Sequence, residues 1–139
     1  MIEIISGEKG KGKTKELLAK VNSSVASASG NIVYLDKSQK HMYELNNKVR
    51  LINVMDYPVE NCDEFLGFLS GIISQDHDLE EMYLDSFLTI AAINNNTDMT
   101  HAIEKLDVIS EKYNVKFISE LPYTLEMHFR NILLNKKVN

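Results

Sequence analysis

Residues 7–14 read Gly7-Glu8-Lys9-Gly10-Lys11-Gly12-Lys13-Thr14. A glycine at each end of a short spacer, then a lysine and a hydroxyl residue, complete the pattern G-x-x-x-x-G-K-[ST]. The apolar run Met1-Ile2-Glu3-Ile4-Ile5 precedes it and reads as a strand, while Leu17, Leu18, Val21 and Val25 follow at helical spacing. Strand, glycine segment and helix form the setting in which backbone N–H groups wrap a polyphosphate and a helix N-terminus adds a favourable dipole. There Lys13 bridges the β- and γ-phosphates and the Thr14 hydroxyl holds Mg²⁺, so the expected ligands are a nucleoside triphosphate and Mg²⁺. Lys9 and Lys11 are extra positive charges that either contact phosphate or stand as solvated loop tips.

The remaining composition bounds the answer. The chain has 139 residues, 44% apolar and 25% charged, as suits one domain spanning residues 1–139. A net charge of −5 carries no basic footprint for nucleic acid. The single cysteine, Cys62, has no internal disulfide partner and reads as a small buried apolar residue in a reducing, cytoplasmic setting. No secretory leader and no membrane span are expected, because the longest apolar stretch, around Phe65 to Ile73, is too short.

From end to end the chain alternates strand and helix patterns. The loop helix fades into a C-cap at Gly30, and Asn31-Ile32-Val33-Tyr34-Leu35-Asp36 reads as a buried strand. A short helix is expected from Ser38 to Asn46, then a strand from Val49 to Val54 closed by Met55-Asp56-Tyr57-Pro58. Asn61 or Cys62 opens a helix with Phe65, Leu66, Leu69, Ile72 and Ile73 inward, ended by Gln75-Asp76-His77-Asp78. Glu81-Met82-Tyr83-Leu84-Asp85 reads as a strand, Phe87–Ile93 as a short helix and Asn94–Thr97 as a loop. Thr97 or Asp98 caps a helix carrying Met99, Ala102, Ile103, Leu106 and Ile109. Val115–Ser119 is the fifth strand, and Pro122 suits the first turn of a last helix with Leu125, Phe129, Ile132 and Leu133 inward. Five strands alternating with helices predict an α/β fold, a mostly parallel sheet covered on both faces.

Ligands of such sheets bind at the C-terminal ends of the strands. Ser6, Asp36, Asp56, Asp85 and Ser119 fall at those ends. Asp85 follows an apolar strand far downstream of the glycine segment, the pattern of an acid that holds Mg²⁺; otherwise it caps the segment beginning Ser86-Phe87. Asp36 is the alternative metal-side acid and the leading candidate base, and Asp56 reads as turn chemistry. Asp76-His77-Asp78 looks like a metal cluster, but neighbours on one loop rarely converge on one ion. His41, His101 and His128 lie on predicted helices, and Tyr34, Tyr83 and Phe117 read as core.

The order of glycine segment, Tyr34-Leu35-Asp36 strand, Val49–Val54 strand, Leu84-Asp85 strand and Phe117-Ile118-Ser119 strand resembles the RecA-like core of P-loop NTPases, a three-layer fold. More closely, Gly7 through Lys15, Gly67 through Asp76 and Leu79 through Asp85 are similar to small stand-alone ATP-binding proteins of Gram-positive bacteria. Some of those carry a label likening them to twitching-motility retraction ATPases, whose additional arginines and acidic box have no counterpart here. The resemblance implies contacts with ATP from Gly7, Glu8, Lys9, Gly10, Lys11, Gly12, Lys13, Thr14 and Lys15. It implies Mg²⁺ at Thr14 and Asp85, with catalytic parts from Lys13, Asp85 and Asp36. It further implies that the Asp85 strand lies near the sheet centre, with the Val115–Ser119 strand between it and the loop strand and Ser119 beside the γ-phosphate.

One departure bears on activity. Such ATPases usually carry a glutamate that polarises water, yet Asp85 is followed by Ser86, and Ser38 stands at the other customary place. Guanine readers of the N-K-x-D type are absent: Asn135-Lys136-Lys137-Val138 and Asn47-Lys48-Val49-Arg50 both lack the acid. Partition ATPases carry a lysine where this chain has Glu8, and a kinase lid needs arginines, of which only Arg50 and Arg130 exist. The expectation is a Mg-ATP-dependent switch or weak regulatory ATPase acting with a protein partner or a second copy. A small-metabolite kinase, with a pocket lined by Asp36, Asp56 and Tyr57, is the alternative; a scaffold that no longer binds nucleotide is the third.

Overall fold

A computed structural model describes residues 1–7 and 12–138, with the side chains of 136–138 left aside. Glu8, Lys9, Gly10 and Lys11 of the glycine segment lie outside the described residues. The strands are β1 (Ile2–Gly7), β2 (Asn31–Asp36), β3 (Val49–Asn53), β4 (Leu79–Leu84) and β5 (Lys116–Pro122). The helices are α1 (Lys13–Val25), α2 (Cys62–Ser74), α3 (Phe87–Ile90), α4 (Asn96–Tyr113) and α5 (Glu126–Val138). Every strand pairing is parallel, in the order β1-β5-β4-β2-β3. The Asp85 strand is therefore central, and β5 separates it from β1, the order expected from the sequence.

Strand alternation sorts the core into two clusters. Ile32, Tyr34, Tyr83 and Ile118 pack with Leu17, Leu18 and Val21 of α1. Their neighbours Val33, Leu35, Met82, Leu84 and Phe117 pack with residues of α2, α4 and α5 on the other side. Period-two alternation thus gives the inner strands β2, β4 and β5 two buried faces, as a helix-covered parallel sheet requires. Among the described residues no helix is long and apolar enough to cross a membrane.

Several boundaries differ from the sequence reading. The segment from Ser38 to Asn46 forms only a 3₁₀ turn, Met42–Glu44. It has no apolar stripe to bury, and side-chain bonds of Asn22 to Glu44 and Asn46 pin it instead; His41 therefore precedes a turn rather than riding a helix. β3 stops at Asn53, whose side chain accepts from the Met55 N–H and opens a 3₁₀ turn over Val54–Asp56. β4 starts two residues earlier than expected, at Leu79, and ends at Leu84, so Asp85 lies just past it. α3 stops at Ile90, short of Ile93, where the chain turns through Ala92 at φ 54°. Asn95, rather than Thr97 or Asp98, caps α4 by accepting from the Asp98 N–H. α2 starts at Cys62 as expected, capped by Asn61. β5 continues to Pro122, which ends a strand instead of starting a helix; a 3₁₀ turn over Tyr123–Leu125 leads into α5.

Gly30 caps no helix either, since α1 ends at Val25 with Ala26 as its cap. Its reason is close approach: a Cβ there would lie 2.1 Å from the Asp78 carbonyl oxygen. That carbonyl accepts from the Asn31 N–H as β2 begins beside β4. Gly30→Ala is expected to destabilise by about 1–3 kcal/mol through overpacking against backbone. Gly67→Ala, on α2 with open space around it, should instead stabilise by about 0.5–1 kcal/mol. Urea unfolding of both variants checks the contrast, and equal effects would contradict it.

Candidate functional site

Register places three acids side by side. Leu35 pairs with Leu84, and Leu84 pairs with Ser119. The next residues along β2, β4 and β5 are Asp36, Asp85 and Glu120. Each lies two positions beyond a residue packed on α1 (Tyr34, Tyr83 and Ile118), so alternation turns all three toward that side of the sheet. All are buried, at 3%, 1% and 7% exposure. A row of buried carboxylates is unfavourable unless each finds donors or cations.

Two of them do. Asp85 accepts from the Thr14 hydroxyl through Oδ1 at 3.1 Å and from the Tyr34 hydroxyl through Oδ2 at 2.7 Å. Glu120 accepts from the Phe87 N–H through Oε1 at 2.7 Å, and its Oε2 lies 3.2 Å from Lys13 Nζ. Burial first, then the Asp85 charge, holds the Tyr34 phenol far above its ordinary range, so it stays a donor. Asp36 is less well served. Its Oδ1 accepts from the Lys37 N–H at 2.7 Å, while its Oδ2 is buried with no hydrogen-bond partner among the described residues. Burial, then the neighbouring Asp85 charge, pushes the Asp36 carboxyl up from its ordinary value of 3.8.

α1 delivers the opposing groups. Gly12 precedes it in the left-handed region, φ 81°, which favours glycine. That turn sets Lys13 and Thr14 in the first turn of the helix, where partial positive charge faces the acid row. Between these elements lies a cavity of about 650 Å³, within the usual range for small-molecule sites. Gly12, Lys13 and Thr14 form one wall; Asp85, Glu120 and Pro122 line it from the strand ends. Ser86, Leu88 and Thr89 line it from the start of α3, and Lys37, Lys40 and His41 from the segment after β2. A groove of about 670 Å³ between α4 and α5 is as large, but it lies away from the strand ends and carries no comparable convergence of charge.

The sequence-predicted residues therefore divide. Lys13, Thr14 and Asp85 meet at one cavity. Asp36 adjoins Asp85 but does not line that cavity. Ser119 is buried within β5 and donates its hydroxyl to the Glu120 carbonyl, so Glu120 rather than Ser119 reaches the cavity. Ser6 donates to Glu126, and Asp56 accepts from the Asn53 side chain in an exposed turn. Asp36, Asp56 and Tyr57, the residues expected to line a kinase pocket, are absent from the lining of this cavity. Lys15 is exposed on α1 and also absent from the lining. Arg50 lies toward the opposite end of the sheet, in register with Val33, and Arg130 pairs with Glu126 on α5. Cys62 is buried, and burial pushes its thiol up to about 11, which suits a packing role.

Glu120 and the rim lysines Lys37 and Lys40 escaped the sequence reading. The signal for Glu120 was available: the apolar alternation of β5 runs on through Leu121, which is 1% exposed. In a parallel sheet covered on both faces, an acid inside that strand is a buried carboxylate.

Cation binding needs oxygen ligands, and Mg²⁺ is commonly held by one or two protein oxygens plus phosphate and water. The Thr14 hydroxyl and the Asp85 carboxylate, in mutual contact, fit that requirement. Among the described residues no cluster of three or more His, Cys, Asp or Glu side chains forms an all-protein metal cage.

Two outcomes follow from this electrostatic arrangement. Tyr34→Phe should destabilise by about 1.5–3 kcal/mol, because it deletes a buried hydrogen bond to a charged oxygen; unchanged urea unfolding would contradict the assigned role. Asp36 binds its proton more tightly folded than unfolded, so its contribution is fully present below pH 3.8 and is lost as pH rises through the raised value. The stability of wild type relative to Asp36→Asn is therefore expected to fall with pH across that window and then level off. A difference that rises with pH would refute it.

Comparison with protein-family models finds no match, and comparison with curated proteins finds none either.

Proposed function

We propose that this chain is a P-loop protein that binds Mg-ATP and acts as a nucleotide-dependent switch, with slow hydrolysis of its own. The observation that carries the reading is the contact between Thr14 and Asp85 beside Lys13 at the start of α1. A hydroxyl, a carboxylate and an ammonium group converge where a helix N-terminus opens into a cavity. An acid row alone would repel a polyphosphate. With a divalent cation between them the same row becomes an attractive partner, which is why Mg²⁺ belongs to the proposal.

The assignments follow the chemistry of each group. Lys13, between Gly12 and Thr14, meets the terminal phosphates. Thr14 and Asp85 hold Mg²⁺, which supplies charge neutralisation at the phosphates when bound. Tyr34 fixes the Asp85 carboxylate through the hydroxyl contact. Lys37 and Lys40, on the cavity rim, add positive charge that suits the outermost phosphate. ATP rather than GTP is proposed because no guanine-reading motif is present in the sequence.

Slow turnover follows from what the cavity contains. Phosphoryl transfer depends on positioning and charge, and an arginine finger contributes about 10³–10⁵ in rate. Among the described residues no arginine lines the cavity. A partner protein or a second copy is proposed to complete the site, in a cytoplasmic setting. Tyr43 and Tyr123, 92% and 65% exposed, lie within two residues of rim positions His41 and Pro122 and offer apolar surface for such a partner.

Calorimetric titration tests the binding claim. Mg-ATP should bind wild type, and Lys13→Ala should weaken it by roughly ten-fold or more, since a charge-assisted contact is worth about 1.5–3 kcal/mol. Thr14→Ala should reduce the dependence on Mg²⁺. Equal affinity of wild type and Lys13→Ala would refute the reading. Single-turnover hydrolysis is expected to be slow and to accelerate with protein concentration; fast hydrolysis independent of concentration would show a complete site within one chain.

A further inference from the structure

Glu120 belongs to two elements at once. One oxygen holds the Phe87 N–H at the start of α3, and the other holds the Lys13 ammonium at the start of α1. Both contacts lie in a region of low exposure: the Lys13 and Glu120 side chains are 12% and 9% accessible. Lys13 is also the cation that an incoming phosphate needs. A single ammonium beside the buried carboxylate cannot serve both anions fully, so phosphate and Glu120 compete for it.

We propose that Glu120 is a placeholder for the anion: it holds Lys13 until phosphate arrives, and its displacement passes the binding event to α3. The proposal rests on the anion-binding reading above and deepens it. When phosphate takes Lys13, the Glu120 carboxylate loses its counter-charge and faces new negative charge. It must turn away or rehydrate, and its bond to the Phe87 N–H is lost with it. The turn it holds is already constrained. Ser86, just before Phe87, sits at φ 56° in the left-handed region, where a non-glycine residue is uncommon. Leu88 and Thr89 on the next turn line the cavity, so a shift of α3 changes the rim itself. Affinity is thus held down by an internal competitor, and the competitor is the transmitting part.

Glu120→Gln separates the two contacts. The amide oxygen still accepts from the Phe87 N–H, but the negative charge that faced Lys13 is gone. Calorimetry with Mg-ATP and with inorganic pyrophosphate is expected to show about ten-fold tighter binding in Glu120→Gln than in wild type, the low end for a charge-assisted contact. Amide hydrogen exchange on wild type supplies the second reading: Phe87 should exchange faster when pyrophosphate is present. Measurable but equal affinities in the two proteins overturn the placeholder while leaving anion binding intact. An unchanged Phe87 exchange rate in an anion-bound wild type overturns the transmission and with it the proposal. Absence of binding to either protein overturns the nucleotide reading and the placeholder together.

Discussion

The organising constraint is the row of carboxylates at the strand ends, Asp36, Asp85 and Glu120, brought abreast by parallel register. Buried like charges on adjacent strands are mutually destabilising. Each neighbouring element can be understood by the donor that it brings. α1 brings Thr14 and Lys13, β2 brings Tyr34, and the start of α3 brings the Phe87 N–H. Asp36, with only the Lys37 N–H, remains the least compensated member. Such an arrangement costs stability, and ordinary packing of two apolar clusters around the sheet offsets it.

That balance connects architecture to chemistry. The first turn of a helix carries partial positive charge, and here its Thr14 and Lys13 side chains contact Asp85 and Glu120. Removing any donor leaves a buried carboxylate oxygen exposed to the others, so the site behaves as a network rather than as separate pairs. A network of this kind has a built-in response to added charge. Under the proposal, a divalent cation relieves it, while an anion alone redistributes it through Lys13. In the proposed function these two responses are joined in one ligand.

Much of this was legible in the sequence, for physical reasons that differ by element. The α/β alternation was readable because strands such as Asn31–Asp36 are short continuous apolar runs, whereas helices repeat apolar residues at helical spacing, as in Met99–Leu106. Lys13, Thr14 and Asp85 were readable because a glycine motif and an acid after an apolar strand are local patterns. Glu120 was not recognised, because Pro122 drew the strand boundary back to Ser119 although the chain remains extended through it. The acid row itself could not be read along the chain. It arises from register between strands far apart in sequence, which only the folded sheet defines. The helix expected from Ser38 to Asn46 failed for the opposite reason: Leu45 alone packs on the core while Met42 and Tyr43 stay exposed, so no apolar stripe forms and local bonds from Asn22 hold the segment.

The central claim, that one cavity at the start of α1 receives a Mg-nucleotide, is tested most directly by mapping which amides respond to it. A two-dimensional ¹H–¹⁵N correlation spectrum should be recorded while Mg-ATP is added to uniformly labelled protein. The account predicts that the largest shifts gather at Gly12 to Lys15, at Asp85 to Thr89 and at Glu120 to Pro122, with little change along α4 and α5. Shifts concentrated in the groove between α4 and α5, or a spectrum that does not change at saturating nucleotide, would contradict it.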